Sequence, residues 1–145
     1  MEIYTIGFTK KSAEEFFGLL RDADICRLVD VRLNNVSQLA AFTKRDDLRF
    51  FLRELCGADY VHEPRLAPTA DILKAYQGKE IDWVQYEVGF RALLSARKAE
   101  TILSQASFAT PTVLLCSEPT AEKCHRRLVA EYLAMAWGDV TVVHL

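Results

Sequence analysis

At 145 residues, 50% of them hydrophobic and 26% charged, the chain has the size of a single domain, residues 1–145, with one sizeable core and no room for a second. A formal charge of -2 and an isoelectric point of about 5.9 exclude any argument from bulk electrostatics for nucleic acid or an anionic membrane surface, and leave only local basic patches. No basic start runs into an apolar stretch, no segment approaches the ~18 apolar residues of a membrane span, and the four cysteines lack a secretion signal. The expectation is therefore a cytoplasmic protein, with no membrane partner, whose cysteines are reduced thiols, metal ligands or catalytic groups.

The first strand is expected over Glu2 to Phe8, where residues alternate in chemistry and Gly7 permits a tight exit. Ser12 then starts a helix, forming a capping box with Glu15, and Ala13, Phe16, Phe17, Leu20 and Ala23 give it an apolar stripe. Cys26 to Val31 reads as a buried central strand with Asp30 and Arg32 at its carboxyl end. Asp46 or Asp47 caps a helix that ends at Gly57, and Tyr60 to His62 is a weak third strand.

Pro64 to Gly78 is expected to be a loop or lid, and Asp82 to about Gln105 the longest helix. Thr112 to Cys116 is the clearest buried strand. It leads through Ser117 and Glu118 to a helix signalled by Pro119 and Thr120, in which His125, Leu128, Val129, Tyr132 and Ala136 share a stripe. Gly138 stops that helix before a last strand, Val140 to Leu145. Strands alternating with helices imply an α/β domain of three layers, a mainly parallel sheet covered on both faces by right-handed crossovers.

Such sheets bind ligands outside the carboxyl ends of their strands, and two segments lead there. Asp30 and Arg32 fall on the same side of their strand, so they either form a structural ion pair or act together, Arg32 clamping an anion while Asp30 orients it or takes a proton. The second segment, from Cys116 to Arg127, packs two thiols, Glu118, His125 and two arginines around one strand-to-helix turn. A thiol beside a helix amino terminus feels the positive end of the dipole, which favours thiolate, while the same field keeps His125 neutral and available as a base. Arg126 or Arg127 could join Arg32 in an anion site. The plainer alternative makes Cys116, Cys124 and His125 buried core residues.

Zinc would need Cys116, Cys124, His125 and the distant His62 together. Against that set stand the divergence of about 100° between adjacent helical residues and the lack of Cys-x-x-Cys or His-x-x-x-His spacing. Arg126 also lies too far along the chain for a phosphatase-type cysteine. The six glycines are scattered, so no dinucleotide cofactor is expected, and none of another kind is indicated. Lys44, Arg45, Arg49 and Arg53 around Phe42, Phe50 and Phe51 read as a solvated helix face, or as a contact for a phosphate backbone if they share the cleft.

Thr5-Ile6-Gly7, Asp30-Val31-Arg32, Ser37, Lys44, Tyr60, His62, Leu115-Cys116 with Glu118, Cys124-His125-Arg126 and Val143-His144-Leu145 together resemble the prokaryotic family catalogued as "domain of unknown function 488". The resemblance spans essentially the whole chain and implies a small α/β fold with a shared site, without naming a substrate. Two departures are visible. Gln38 follows Ser37 where the family pattern has arginine, and Arg65-Leu66-Ala67-Pro68 stands where the family shows a leucine with glycines. The leading expectation is an enzyme acting on a small anionic or nucleotide-like substrate. Arg32, Ser37, Lys44, Tyr60, His62 and Arg126 would bind it, Cys116 or Cys124 would be the nucleophile, and Asp30, Glu118 and His125 the acid-base groups. A non-catalytic module binding nucleic acid or protein, and a zinc protein, are the alternatives.

Overall fold

A computed structural model describes residues 1–36, 41–118 and 120–145, so the expectations attached to Ser37, Gln38 and Pro119 lie outside the described residues. Five strands, β1 (Glu2–Gly7), β2 (Arg27–Asp30), β3 (Asp59–His62), β4 (Thr112–Cys116) and β5 (Thr141–His144), form one sheet in the order β3-β2-β4-β1-β5. All four pairings are parallel, so each strand needs a crossover to reach the next. The helices α1 (Ala13–Asp22), α2 (Arg45–Phe51), α3 (Ala70–Gln77), α4 (Trp83–Ala96) and α5 (His125–Trp137) lie in those crossovers.

Period-two alternation sorts the strands into two cores, one on each face. Ile6, Leu28, Val113 and Leu115 pack with Phe16, Phe17 and Leu20 of α1 and Leu48 of α2. Ile3, Val29, Leu114 and Cys116 pack with Tyr86, Phe90 and Leu94 of α4 and Leu128, Val129 and Leu133 of α5. The chain leaves β2 toward β3 and leaves β4 toward β5, in opposite directions across the sheet. Two neighbouring strands with diverging exits make the crevice at which open α/β sheets bind ligands.

Several boundaries differ from the sequence reading for local reasons. Lys44, not Asp46 or Asp47, precedes the first turn of α2, and the two aspartates occupy that turn, where its free N–H groups favour negative charge. That helix continues as a π-helical turn, Leu52–Cys56, before Gly57 closes it at φ 61°. The Pro64 to Gly78 segment is not a loop: it holds a 3-10 turn, Pro64–Leu66, and then α3, capped by the Thr69 hydroxyl. Helix α4 stops at Ala96, well short of Gln105, and Lys98 at φ 52° turns the chain into short 3-10 segments. Helix α5 starts at His125 rather than near Thr120, with Cys124 in extended conformation before it. No helix among the described residues is long and apolar enough to cross a membrane.

The best-formed cap is on α4, where the Asp82 carboxylate accepts from the Gln85 N–H at 2.8 Å and the Gln85 side chain accepts from the Asp82 N–H at 2.9 Å. Asp82→Ala removes a satisfied helix terminus, and we expect it to lower stability by about 1 kcal/mol. Urea unfolding of the two proteins measures this, and an unchanged midpoint would refute it.

Candidate active site

Strands β1 and β4 end side by side, with Gly7 paired to Cys116. Beyond Cys116 the chain folds back over Gly7 so closely that a Cβ there would lie 1.6 Å from the Glu118 carbonyl oxygen. Only glycine allows this approach. The Glu118 carbonyl accepts from Arg126 Nη1 at 2.8 Å, and Thr9 N–H donates to the Ser117 carbonyl at 3.0 Å. So held, the turn aims the N–H groups of Ser117 and Glu118 at the Cys116 sulfur.

Cys116 Sγ lies 3.3 Å from His125 Nδ1, and His125 Nε2 lies 2.7 Å from the Val31 carbonyl oxygen. A carbonyl can only accept, so Nε2 carries a hydrogen and Nδ1 is free to take the thiol proton. The imidazole also meets the Phe90 ring nearly at right angles, at 5.6 Å between centroids. Cys124, in extended conformation at the start of α5, turns its sulfur to Cys116 rather than capping the helix. This backbone geometry defeats the helical divergence expected of Cys124 and His125: the three donor atoms of Cys116, Cys124 and His125 lie within 4.8 Å of one another, all buried. His62, the fourth zinc ligand of the sequence reading, instead places Nε2 2.8 Å from the Arg32 carbonyl oxygen.

Burial is the largest influence on the Cys116 thiol and pushes its pKa up. The hydrogen bond from Cys124, the Ser117 N–H, the Arg126 charge and the Glu118 N–H oppose it and leave the group below the ordinary thiol value. Burial and the bond to Cys116 hold the Cys124 thiol well above that value. The two sulfurs are thus chemically unequal.

Asp30 and Arg32 belong to a different cluster. Asp30 shares the α1/α2 side of β2 with Leu28, whereas Cys116 faces α4 and α5. The carboxylate is fully buried and accepts from Arg32 Nε and Nη2, both at 2.8 Å, from Arg32 N–H at 3.1 Å and from Tyr60 Oη at 2.6 Å. Arg32 Nη2 also donates to the Thr43 carbonyl at 2.7 Å, and its Nη1 is buried without a partner among the described residues. Burial first, and then Asp30, push the Tyr60 hydroxyl far up, so it stays a donor. The two clusters meet through backbone: His125 holds the Val31 carbonyl and His62 that of Arg32.

A pocket of about 260 Å³ opens onto the thiols. Of the expected site residues, Arg32, Cys116, Glu118, Cys124 and His125 line it. Tyr60 and His62 sit in the Asp30 network, Lys44 is exposed ahead of α2, and Arg126 is buried between the Thr5 hydroxyl and the Glu118 carbonyl. None of these four is among the lining residues, nor is any of Arg45, Arg49 and Arg53. Sequence reasoning missed Tyr76, Trp83 and Tyr86, which form one wall, with the Trp83 and Tyr86 rings stacked at 5.1 Å. It also missed Lys123 and Asn34. The aromatic spacing is visible in the sequence, but Tyr86 reads equally as a core residue, and Pro64 and Pro68 give the segment that holds Tyr76 the composition of a loop.

Among known proteins, residues 12–133 match the family described as "Domain of unknown function DUF488". No curated protein and no solved structure matches the chain.

Asp30→Asn would leave the buried Arg32 guanidinium facing a neutral amide. Breaking a buried pair in this way costs about 3–5 kcal/mol. Denaturant unfolding should report a loss of that order, and a change within the error of the measurement would show that the network does not hold the strand ends.

Proposed function

The chain belongs to the DUF488 family, and from the geometry of its site we propose that it is an enzyme of thiol chemistry acting on a small molecule. Cys116 is the nucleophile, His125 takes its proton, and the Val31 carbonyl orients the imidazole. The observation that carries this is the chain of two contacts, 3.3 Å from sulfur to Nδ1 and 2.7 Å from Nε2 to the carbonyl. It supplies a nucleophile, a base and a group that orients the base. The same geometry serves after proton transfer, since an imidazolium donates from both nitrogens, to the carbonyl and to the thiolate.

The lining residues support a substrate with a flat body and a negative end. Tyr76, Trp83 and Tyr86 offer an apolar wall for a flat group. Lys123 and Arg32 are the lining cations and Glu118 the lining carboxylate, positioned as a candidate proton donor or acceptor. Arg126 acts on the thiol through its charge rather than by touching the substrate, and Asp30 secures Arg32 rather than moving a proton.

Cys116 lies below the ordinary thiol value, so its thiolate fraction, and with it alkylation by iodoacetamide, should rise through a midpoint below that of an ordinary free thiol. Peptide-resolved alkylation rates against pH measure this, and His125→Ala should move the midpoint upward. Labelling of Cys116 only after unfolding, in metal-free protein, would end the nucleophile reading.

One observation favours a second reading. Three buried donor atoms within 4.8 Å suit a tetrahedral zinc ion, whose sulfur ligands stand about 3.8 Å apart at Zn–S distances of about 2.3 Å. The His125 bond to a backbone carbonyl is the usual support of a zinc-bound imidazole. In that case purified protein retains one zinc per chain after dialysis, and removing it with a chelator releases both thiols for labelling. Elemental analysis decides between a zinc centre and free thiols.

A further inference from the structure

The nucleophile reading leaves Cys124 without a task. Its sulfur lies within 4.8 Å of that of Cys116, its side chain caps nothing, and both cysteines line the same pocket. The neighbourhood is asymmetric in a useful way. Cys116 has the base His125 and two backbone N–H donors, whereas Cys124 has Cys116. The first sulfur is placed to attack a substrate and the second to attack the first.

We propose that Cys124 is a resolving thiol and that the site reduces a small anionic organic disulfide, with Cys116 and Cys124 ending as a disulfide. This rests on Cys116 being the nucleophile. In the first step the Cys116 thiolate attacks one sulfur of R–S–S–R′. The S–S bond breaks, R′S⁻ leaves and takes the proton held on His125, and Cys116 carries a mixed disulfide with RS. In the second step Cys124 gives its proton to His125 and its sulfur attacks Cys116 Sγ. The mixed disulfide breaks, and RS⁻ leaves with that proton. Substrate gains two electrons and two protons, and the two cysteines lose them. An external dithiol restores the pair by the reverse exchange.

The surroundings fit this chemistry. Cys116 and Cys124 are eight residues apart in sequence, so the disulfide closes a small loop, and their sulfurs already lie within 4.8 Å of one another. Lys123 and Arg32 line the pocket where the carboxylates of such a disulfide would lie, and the aromatic wall takes its uncharged part. The other two cysteines, Cys26 and Cys56, lie against a separate pocket and are distinguished by peptide mapping.

The test is reaction of the reduced, metal-free full chain with oxidised glutathione, followed by intact mass, peptide mapping and assay of released thiol. The expected product has lost two hydrogens, links Cys116 to Cys124 and releases two glutathiones per chain. Cys124→Ser should halt at a glutathione adduct on Cys116 with one released, and Cys116→Ser should slow the reaction at least tenfold. Cys124→Ala gives the same reading if the serine variant does not fold. A stable adduct on Cys116 in the unaltered protein overturns the proposal while leaving the nucleophile in place, as does a Cys116 that alkylates readily but ignores the disulfide. A Cys116 inert to both reagents overturns both readings, and zinc that returns to both sulfurs and blocks them overturns the resolving role in favour of the metal centre.

Discussion

The site depends on positive potential gathered at the start of α5. A helix amino terminus favours acidic residues, yet the first turn here carries His125, Arg126 and Arg127 and no acid. Arg127 is neutralised by Glu87 and Glu131. Arg126 is 1% exposed and, among the described residues, forms no ion pair with a carboxylate. Its guanidinium donates to the Thr5 hydroxyl and to the Glu118 carbonyl oxygen. A guanidinium stays charged wherever it is put, so burying it unpaired is costly unless something negative balances it. The Cys116 sulfur, which feels that charge, is the group that does so when it ionises.

The same arginine builds the turn that makes the sulfur's environment. By holding the Glu118 carbonyl it draws residues 117 and 118 down onto Gly7, and the turn so formed presents two N–H groups to Cys116. Thr5, Gly7 and the Glu118 carbonyl thus act through position, and Arg126 through position as well as charge. On the other face of the sheet, the Asp30 network does comparable work for the backbone. It fixes Arg32, and the next carbonyl back, that of Val31, is the one that orients His125. The ion pair and the thiol–imidazole pair are neighbours across the sheet end but not one cluster, because period two sends Asp30 and Cys116 to opposite faces.

Much of this was legible in the residues and some was not. Four strands could be read because each is a short apolar or alternating run with clear stops, β3 is a weaker signal, and Ser12, Gly57 and Gly138 marked helix ends for reasons that survive folding. The residues at the β2 and β4 ends were identifiable from type and spacing. Their division between two faces was not, since it depends on the register that pairs Asp30 with Leu115. Helix α3 was hidden by Pro64 and Pro68, which precede it without entering it, and Thr69 as its cap was the available signal. The convergence of Cys124 with His125 was hidden because Pro119 and Thr120 signal an earlier helix start than His125. At φ -136° and ψ 138°, Cys124 stands outside the helix, and one extended residue turns a divergence into a meeting.

That single backbone state also explains why two chemistries compete for one place. A reactive thiolate and a zinc-bound thiolate need the same things from the protein: a deprotonated sulfur, N–H donors around it, a nearby positive charge and an imidazole held by its far nitrogen. The first three contacts of Cys116 satisfy either. What separates them is the second sulfur. As a ligand Cys124 must lose its proton together with Cys116, and two adjacent thiolates in a buried site repel unless a cation lies between them. As a resolving thiol it must keep its proton until Cys116 is oxidised. Burial and the bond to Cys116 hold the Cys124 thiol well above the ordinary value while Cys116 lies below it, so in the metal-free protein Cys116 is the first of the two sulfurs to ionise, the order that a nucleophile with a second thiol in reserve would require.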